Sequence, residues 1–206
     1  MKKTGVRLAP LSHRRLIGLT GGIATGKSTV SSYLEQVYKL PVLDADQYAR
    51  EAVQPGTIVL NRVVERYGIQ ILQADGQLDR PQLGNLIFRD EKERRWLEAQ
   101  IHPVVQSCFE RDLAQLPETF SPVILSIPLL FEARLTHWVT EIWVVTCTPS
   151  QQNDRLRQRN GLSEREAHDR IQAQMPLNQK CELADQVLDN SGSLETLYRQ
   201  VDRALK

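Results

Sequence analysis

From Gly21 to Thr29 the chain reads GGIATGKST, and its first eight residues match the pattern G-x-x-x-x-G-K-[ST]. Glycines there let the backbone wrap a polyphosphate with its N–H groups pointing inward, at the positive end of the helix that follows. ATP phosphates would then lie against the backbone of Gly22, Ala24, Thr25, Gly26 and Thr29. Lys27 would reach the β- and γ-phosphates, and the Ser28 hydroxyl would hold Mg²⁺. The pattern falls between an expected strand and an expected helix, which favours a ligand over a merely glycine-rich turn. A kinase, a GTPase and a motor ATPase all use such a loop. No N-K-x-D string for reading guanine occurs, which disfavours the GTPase.

Further groups bear on the choice. Asp44-Ala45-Asp46 ends the second expected strand, on the side where open α/β sheets bind ligands. One of the two carboxylates suffices for a site. Asp46 is the candidate to accept the proton of an attacking hydroxyl, with a helix N-cap as its bland alternative, and Asp44 is read as structural. Arg155, Arg157 and Arg159, with Arg165 and Arg170 beyond them, suit a lid that closes on phosphates, because phosphoryl transfer spreads negative charge that arginines stabilise. Their alternative is a solvated helix face paired with Glu164, Glu166 and Asp169. On spacing alone His102 carries no role, and Trp96, Trp138 and Trp143 are packing residues.

The elements that must position these groups follow from periodicity. Leu16–Thr20 and Pro41–Asp44 read as strands around a helix over Lys27–Tyr38, which makes a βαβ unit and predicts a parallel sheet. A helix is expected over Gln47–Val53. Helical segments follow at Ile58–Tyr67, Gln82–Phe88 and Glu91–Leu116, with no convincing strand among them. The apolar run Pro122–Phe131 predicts a strand buried on both faces, and Glu141–Thr146 a fourth strand. Helices are expected over Gln151–Arg159 and Ser163–Met175, then a short strand at Gln186–Leu188 and a closing helix at Leu194–Leu205.

Composition bounds the rest. The chain has 206 residues, 41 % of them apolar and 25 % charged, which is ordinary globular usage. Basic and acidic residues nearly cancel, 26 against 25, so a dedicated nucleic-acid partner is not expected. The three cysteines, Cys108, Cys147 and Cys181, are scattered and form no C-x-x-C pair, which suits a reducing compartment. No apolar run approaches the ~18 residues that cross a bilayer. Residues 1–15 are basic without a long apolar stretch and read as a flexible N-terminal extension. A cytoplasmic monomer is expected.

With those residues in view, the chain resembles the dephospho-CoA kinase family from about Leu16 to its C-terminus. The likeness is carried by IGLTGGIATGKST, LDADQYAREAVQPG, LDRPQLGNLIF, IHPVV, IPLLFE, RLRQRNGLSEREAHDRIQAQMP and ADQVLDNSG, in that order. The resemblance implies a three-layer α/β fold of the P-loop, nucleoside-monophosphate-kinase-like kind with a five-stranded parallel sheet. The core would be 16–54 and 120–206, a helical substrate region about 55–118 and a lid about 151–180. It implies transfer of the ATP γ-phosphoryl group to the ribose 3′-hydroxyl of dephospho-CoA, with Mg²⁺, in the last step of coenzyme A synthesis. Asp46 would then stand at that hydroxyl, and His102, Pro128 and Leu129 would touch the acceptor. Arg159 matches the lid arginine, and Asn190 with Gly192 would border the adenine.

Two departures stand out. Many relatives have Gly-Ser where this loop has Ala24-Thr25, so the loop is expected to follow its normal path without positive φ at Ala24. Many also have Asp at Ser126, which leaves Asp46 with water as the expected acidic partner of Mg²⁺. Two rival functions remain open on sequence. One is a kinase of the same architecture for another small acceptor. The other is a P-loop protein that uses ATP for regulation and needs a protein partner.

Overall fold

The computed structural model describes residues 14–206, apart from the side chains of 88 and 89. The expected extension therefore lies outside the described residues up to position 13. Its last two residues are anchored: Arg14 donates to the Leu116 carbonyl at 2.5 Å, and Arg15 makes a two-pronged contact with Glu141 at 2.9 Å.

In chain order the elements begin with β1 (Leu16–Gly21), α1 (Lys27–Tyr38), β2 (Val42–Asp44), α2 (Ala45–Glu51) and α3 (Ile58–Tyr67). Then come α4 (Arg80–Arg89), α5 (Glu91–Gln115), β3 (Val123–Ser126) and β4 (Glu141–Thr146). The chain closes with α6 (Pro149–Asn160), α7 (Glu164–Gln172), α8 (Leu177–Glu182), β5 (Gln186–Asp189) and α9 (Leu194–Leu205). Single 3₁₀ turns lie at Ile69–Ile71 and Thr136–Trp138. Among the described residues no helix is long and apolar enough to cross a membrane.

The described residues form two compact units, residues 14–44 with 116–206, and residues 45–115. The helical unit thus begins at Ala45, ahead of the expected position 55.

In the first unit all strand pairs are parallel and the order is β2-β3-β1-β4-β5. β1 lies in the middle with every residue buried. That explains its apolar run, since a central parallel strand is covered on both faces. Ile17, Leu19, Ile124, Trp143 and Leu188 from the sheet pack with Val30 and Leu34 of α1 and with Leu197 and Val201 of α9.

The apolar run 122–131 makes a shorter strand than expected. Pairing stops at Ser126, and the Ile127 amide makes one more bond, to the Leu19 carbonyl. Pro128 has no N–H to continue the ladder, and the following apolar residues are buried by a turn instead. The helix expected over Ser163–Met175 also ends early, at Gln172. Pro176 disfavours helical geometry at the residue before it and starts α8, an element the periodicity did not show. Local signals fix the other helix starts: capping boxes at Thr148/Gln151 and Ser163/Glu166, and Ser193 at α9.

The second unit is helical, with an isolated antiparallel bridge between Leu72 and Leu78. Val59, Leu60, Val63, Ile71, Leu83 and Leu97 form its core. Phe109 of α5 meets Tyr48 of α2 edge to face at 5.0 Å, and the Tyr48 hydroxyl donates to Asp112 at 2.5 Å. Arg66 binds both carboxylate oxygens of Glu93 and lies 4.5 Å over the Trp96 ring. That guanidinium, and then the Tyr67 hydroxyl, hold the Glu93 carboxyl down at about 2. Phe109 is completely buried. Phe109→Ala should therefore cost about 3–5 kcal/mol, read as a lower denaturation midpoint.

Candidate active site

The phosphate loop begins where the central strand runs out. Gly21 pairs with Val145 of β4, so closely that a Cβ on Gly21 would lie 2.5 Å from the Val145 carbonyl oxygen. The chain then turns back on itself: the Thr25 hydroxyl donates to the Gly22 carbonyl at 2.9 Å. Gly26 has φ 100° and Ala24 φ 60°. The expectation that the loop avoids positive φ at Ala24 is therefore corrected. The tight return to α1 sets that conformation, and the alanine is held in it at a cost of about 1–2 kcal/mol. No side chain caps α1 and no acidic residue lies in its first turn, so its N-terminal field is left for an anion.

Lys27, the first residue of α1, is only 17 % exposed at its side chain. Its ammonium donates to the Ser126 hydroxyl at 2.5 Å and lies 3.9 Å from Asp44. Ser126 in turn donates to the Asp44 carboxylate at 3.0 Å. Sheet register makes this contact, because Asp44 and Ser126 are direct partners on β2 and β3. The carboxylate beside Ser126 is thus Asp44, which the sequence reading set aside as structural. Ser28, one residue further on, is exposed.

Behind the loop, side chains hold backbone groups. The Asn190 amide donates to the Thr25 carbonyl at 2.8 Å, and Asn190 is 5 % exposed. This places Asn190 under the loop, while Gly192 is exposed two residues on. Gln152 of α6 donates to the Ile23 carbonyl at 2.9 Å. Neither Gln152 nor the fully buried Lys180 was found from sequence. A glutamine and a lysine in polar helices look like solvated residues until the fold brings them inward. Both fall outside the motifs that carry the family resemblance, Gln152 before the lid string and Lys180 between it and ADQVLDNSG, so neither had a signal in the sequence.

The arginines divide. Arg155 is half-buried and donates to the Asn190 carbonyl at 3.1 Å. Arg159, at the end of α6, is exposed and donates to Asn160 at 2.9 Å. After β3, Thr20 of β1 donates to the Pro128 carbonyl at 3.0 Å, and Leu129 leaves its side chain exposed.

In the helical unit, Asp46 lies in the first turn of α2. It lines a cavity of about 400 Å³ together with Arg50, Val53, Arg80, Leu83 and Ile101. Carboxylate and guanidinium groups over an apolar floor suit a polar molecule with a flat or aliphatic part. His102 is half-buried on α5, beside Ile101, and is not among the lining residues.

A parallel sheet in this order, with G-x-x-x-x-G-K-S between its central strand and a helix, and a polar cavity in an attached helical unit, defines a small-molecule kinase of the P-loop class. The particular family follows from comparison. The chain belongs to the dephospho-CoA kinase family, whose model matches residues 15–196. It is 59 % identical over 191 residues to a dephospho-CoA kinase of Synechocystis sp., spanning 93 % of this chain and 94 % of that one. It also resembles a Thermus thermophilus protein of known crystal structure, with a TM-score of 0.80 and 35 % identity over 94 % of this chain and 97 % of that one. Dephospho-CoA kinase from Campylobacter jejuni shares the fold, with a TM-score of 0.66 at 22 % identity, over 92 % of this chain and 94 % of that one.

An alanine at Gly26 would have to adopt positive φ, and its Cβ would overlap the Asn190 amide. Gly26→Ala should keep the far-ultraviolet dichroism of the fold and weaken ADP binding by about tenfold or more, measured by calorimetry.

Proposed function

We infer that this chain transfers the terminal phosphoryl group of ATP to the ribose 3′-hydroxyl of dephospho-CoA, giving coenzyme A and ADP. The carrying observation is the family match across 15–196, which takes in both the phosphate loop and the cavity at Asp46. In the reaction the hydroxyl oxygen forms a bond to the γ-phosphorus while the bond from that phosphorus to the β,γ-bridging oxygen breaks. The hydroxyl proton passes to Asp46, and no covalent enzyme intermediate forms.

The residues divide the work by their chemistry. The backbone of Gly22, Ala24, Thr25, Gly26 and Thr29 lies against the phosphates, and Lys27 neutralises charge on the β- and γ-phosphates. Ser126 and Asp44 aim the Lys27 ammonium. Arg159 supplies charge to the transferring group, supported by its exposed place at the end of α6, whereas Arg155 is engaged at Asn190. Asn190 acts on the nucleotide through the loop it underpins, and Gly192 borders the base. Leu129, Pro128 and His102 contact the acceptor nucleoside.

Among the described residues no cluster of three or more His, Cys, Asp or Glu side chains could cage a metal. That fits Mg²⁺, which usually takes one or two protein oxygens and completes its shell with water and phosphate. The Ser28 hydroxyl and the Asp44 carboxylate are the oxygens that would hold it, in place of the Asp46 expected from sequence. When bound it neutralises phosphate charge and aligns the β- and γ-groups.

Mass analysis after mixing the chain with Mg·ATP and dephospho-CoA should show one added phosphoryl group, located on the 3′-oxygen. A different best acceptor in a panel would replace the substrate and keep the kinase. Lys27→Ala and Asp46→Asn should each lower turnover by about a hundredfold or more with the fold intact. Near-parental turnover in Asp46→Asn would remove that carboxylate from the proton transfer.

A further inference from the structure

Lys180 is the only lysine among the fully buried side chains described, with 0 % exposure. Its ammonium contacts Glu132 at 2.8 Å and donates to the Gly21 carbonyl at 3.3 Å. Two residues along the loop, the Ile23 amide donates to the Gln174 side chain at 2.8 Å. Gln174 and Lys180 bracket the break between α7 and α8. The same Glu132 oxygen that meets Lys180 also accepts from the Met175 amide at 3.0 Å, so one carboxylate braces both ends of that segment.

The ion pair is poorly built for stability. Removing two charges from water costs several kcal/mol per ion unless every lone pair is satisfied. Here the second Glu132 oxygen is buried without a hydrogen-bond partner. A pair that yields little net stability needs another reason for its place, and the contact it adds is the one to the Gly21 carbonyl. A carbonyl engaged from behind cannot rotate into the loop, where it would meet phosphate oxygens. Gln174 holds the opposite kind of group: its side-chain oxygen accepts the Ile23 amide and so fixes the orientation of that peptide.

We propose that Lys180 and Gln174 are positioning residues for nucleotide binding, which set the Gly21–Ile23 backbone so that the remaining loop amides face the phosphates. Neither touches the reacting atoms. The inference rests on the reading of the loop as the ATP site. It adds that grip on the nucleotide depends on the segment between α7 and α8.

The test measures Mg·ATP binding by calorimetry, the KM for dephospho-CoA and the melting temperature, all in the full chain. Loss of a charge-assisted bond is worth about tenfold to a hundredfold, and of a neutral one about twofold to tenfold. Lys180→Met should weaken ATP binding by the larger factor and leave the KM for dephospho-CoA unchanged. It also strands Glu132, so its melting temperature should fall. The double variant Lys180→Met/Glu132→Gln removes the stranded charge and keeps an acceptor for the Met175 amide: melting should recover while ATP binding stays weak. Gln174→Ala should weaken ATP binding by the smaller factor and leave the KM for dephospho-CoA unchanged. The proposal is overturned if ATP affinity recovers with stability in the double variant. Parental affinity in Gln174→Ala also overturns it, and that variant decides the matter should the double variant fail to fold. A parent chain that binds no ATP would instead sink the reading of the loop.

Discussion

A chain leaving a buried strand must turn the amides of a few successive residues toward one point and keep its carbonyls away from it. In this protein that constraint falls on Gly21–Gly26. Isolated peptide has no preference for such a path, and positive φ at Ala24 works against it, whereas Gly26 takes its positive φ freely. The non-glycine position alone costs about 1–2 kcal/mol. Against this stand hydrogen bonds from Asn190 and Gln152 to loop carbonyls, from Thr25 within the loop, and to Gln174 from the Ile23 amide. Each contributes about 0.5–1.5 kcal/mol net, so several together outweigh the strain. The loop is shaped from outside, by residues on α6, after α7 and after β5.

The same economy of placement explains Asp44 and Ser126. An acid on β3 would sit on a strand buried on both faces. The acid on β2, an edge strand of half-buried residues, keeps its carboxylate 36 % exposed while sheet register brings it to the Ser126 hydroxyl. Water can therefore reach the charge, and the serine relays its orientation to Lys27. A hydroxyl at Ser126 costs less to bury than a carboxylate, because one donated bond satisfies its proton.

Much of this was legible in the sequence because it rests on local rules. The βαβ start, the helix Lys27–Tyr38, the strand Glu141–Thr146 and the closing helix Leu194–Leu205 follow periodicity, and the structure has them with those bounds. Misses came where a proline changed hydrogen bonding without changing hydropathy. Pro128 ended β3 inside an apolar run, and before Pro176 the expected helix stopped early at Gln172, with the unexpected α8 beginning beyond the proline. The site itself was half visible. Glycines, Lys27 and Ser28 follow from spacing. The pairing of Asp44 with Ser126, 82 positions apart in the chain, is set by strand order. Asp44 reads as structural beside Asp46 in sequence, yet the register of β2 against β3 decides where its carboxylate lies.

The break at Pro176 also bears on how the arginine-bearing helices relate to the loop. Had α7 continued to Met175 as one rigid rod, its last turn would have used the Met175 amide in an intrahelical bond. Ending at Gln172 frees that amide for Glu132 and lets Gln174 turn its side chain to Ile23. α8 then starts afresh and carries Lys180 inward to Gly21. A residue that interrupts helical hydrogen bonding thus supplies two separate attachments to the loop where a continuous helix, presenting one face, would present one. The helix that carries Arg155 and Arg159, α6, reaches the loop on its own account through Gln152 and through Arg155 at Asn190, so displacement of either attachment is felt by the backbone that binds phosphate.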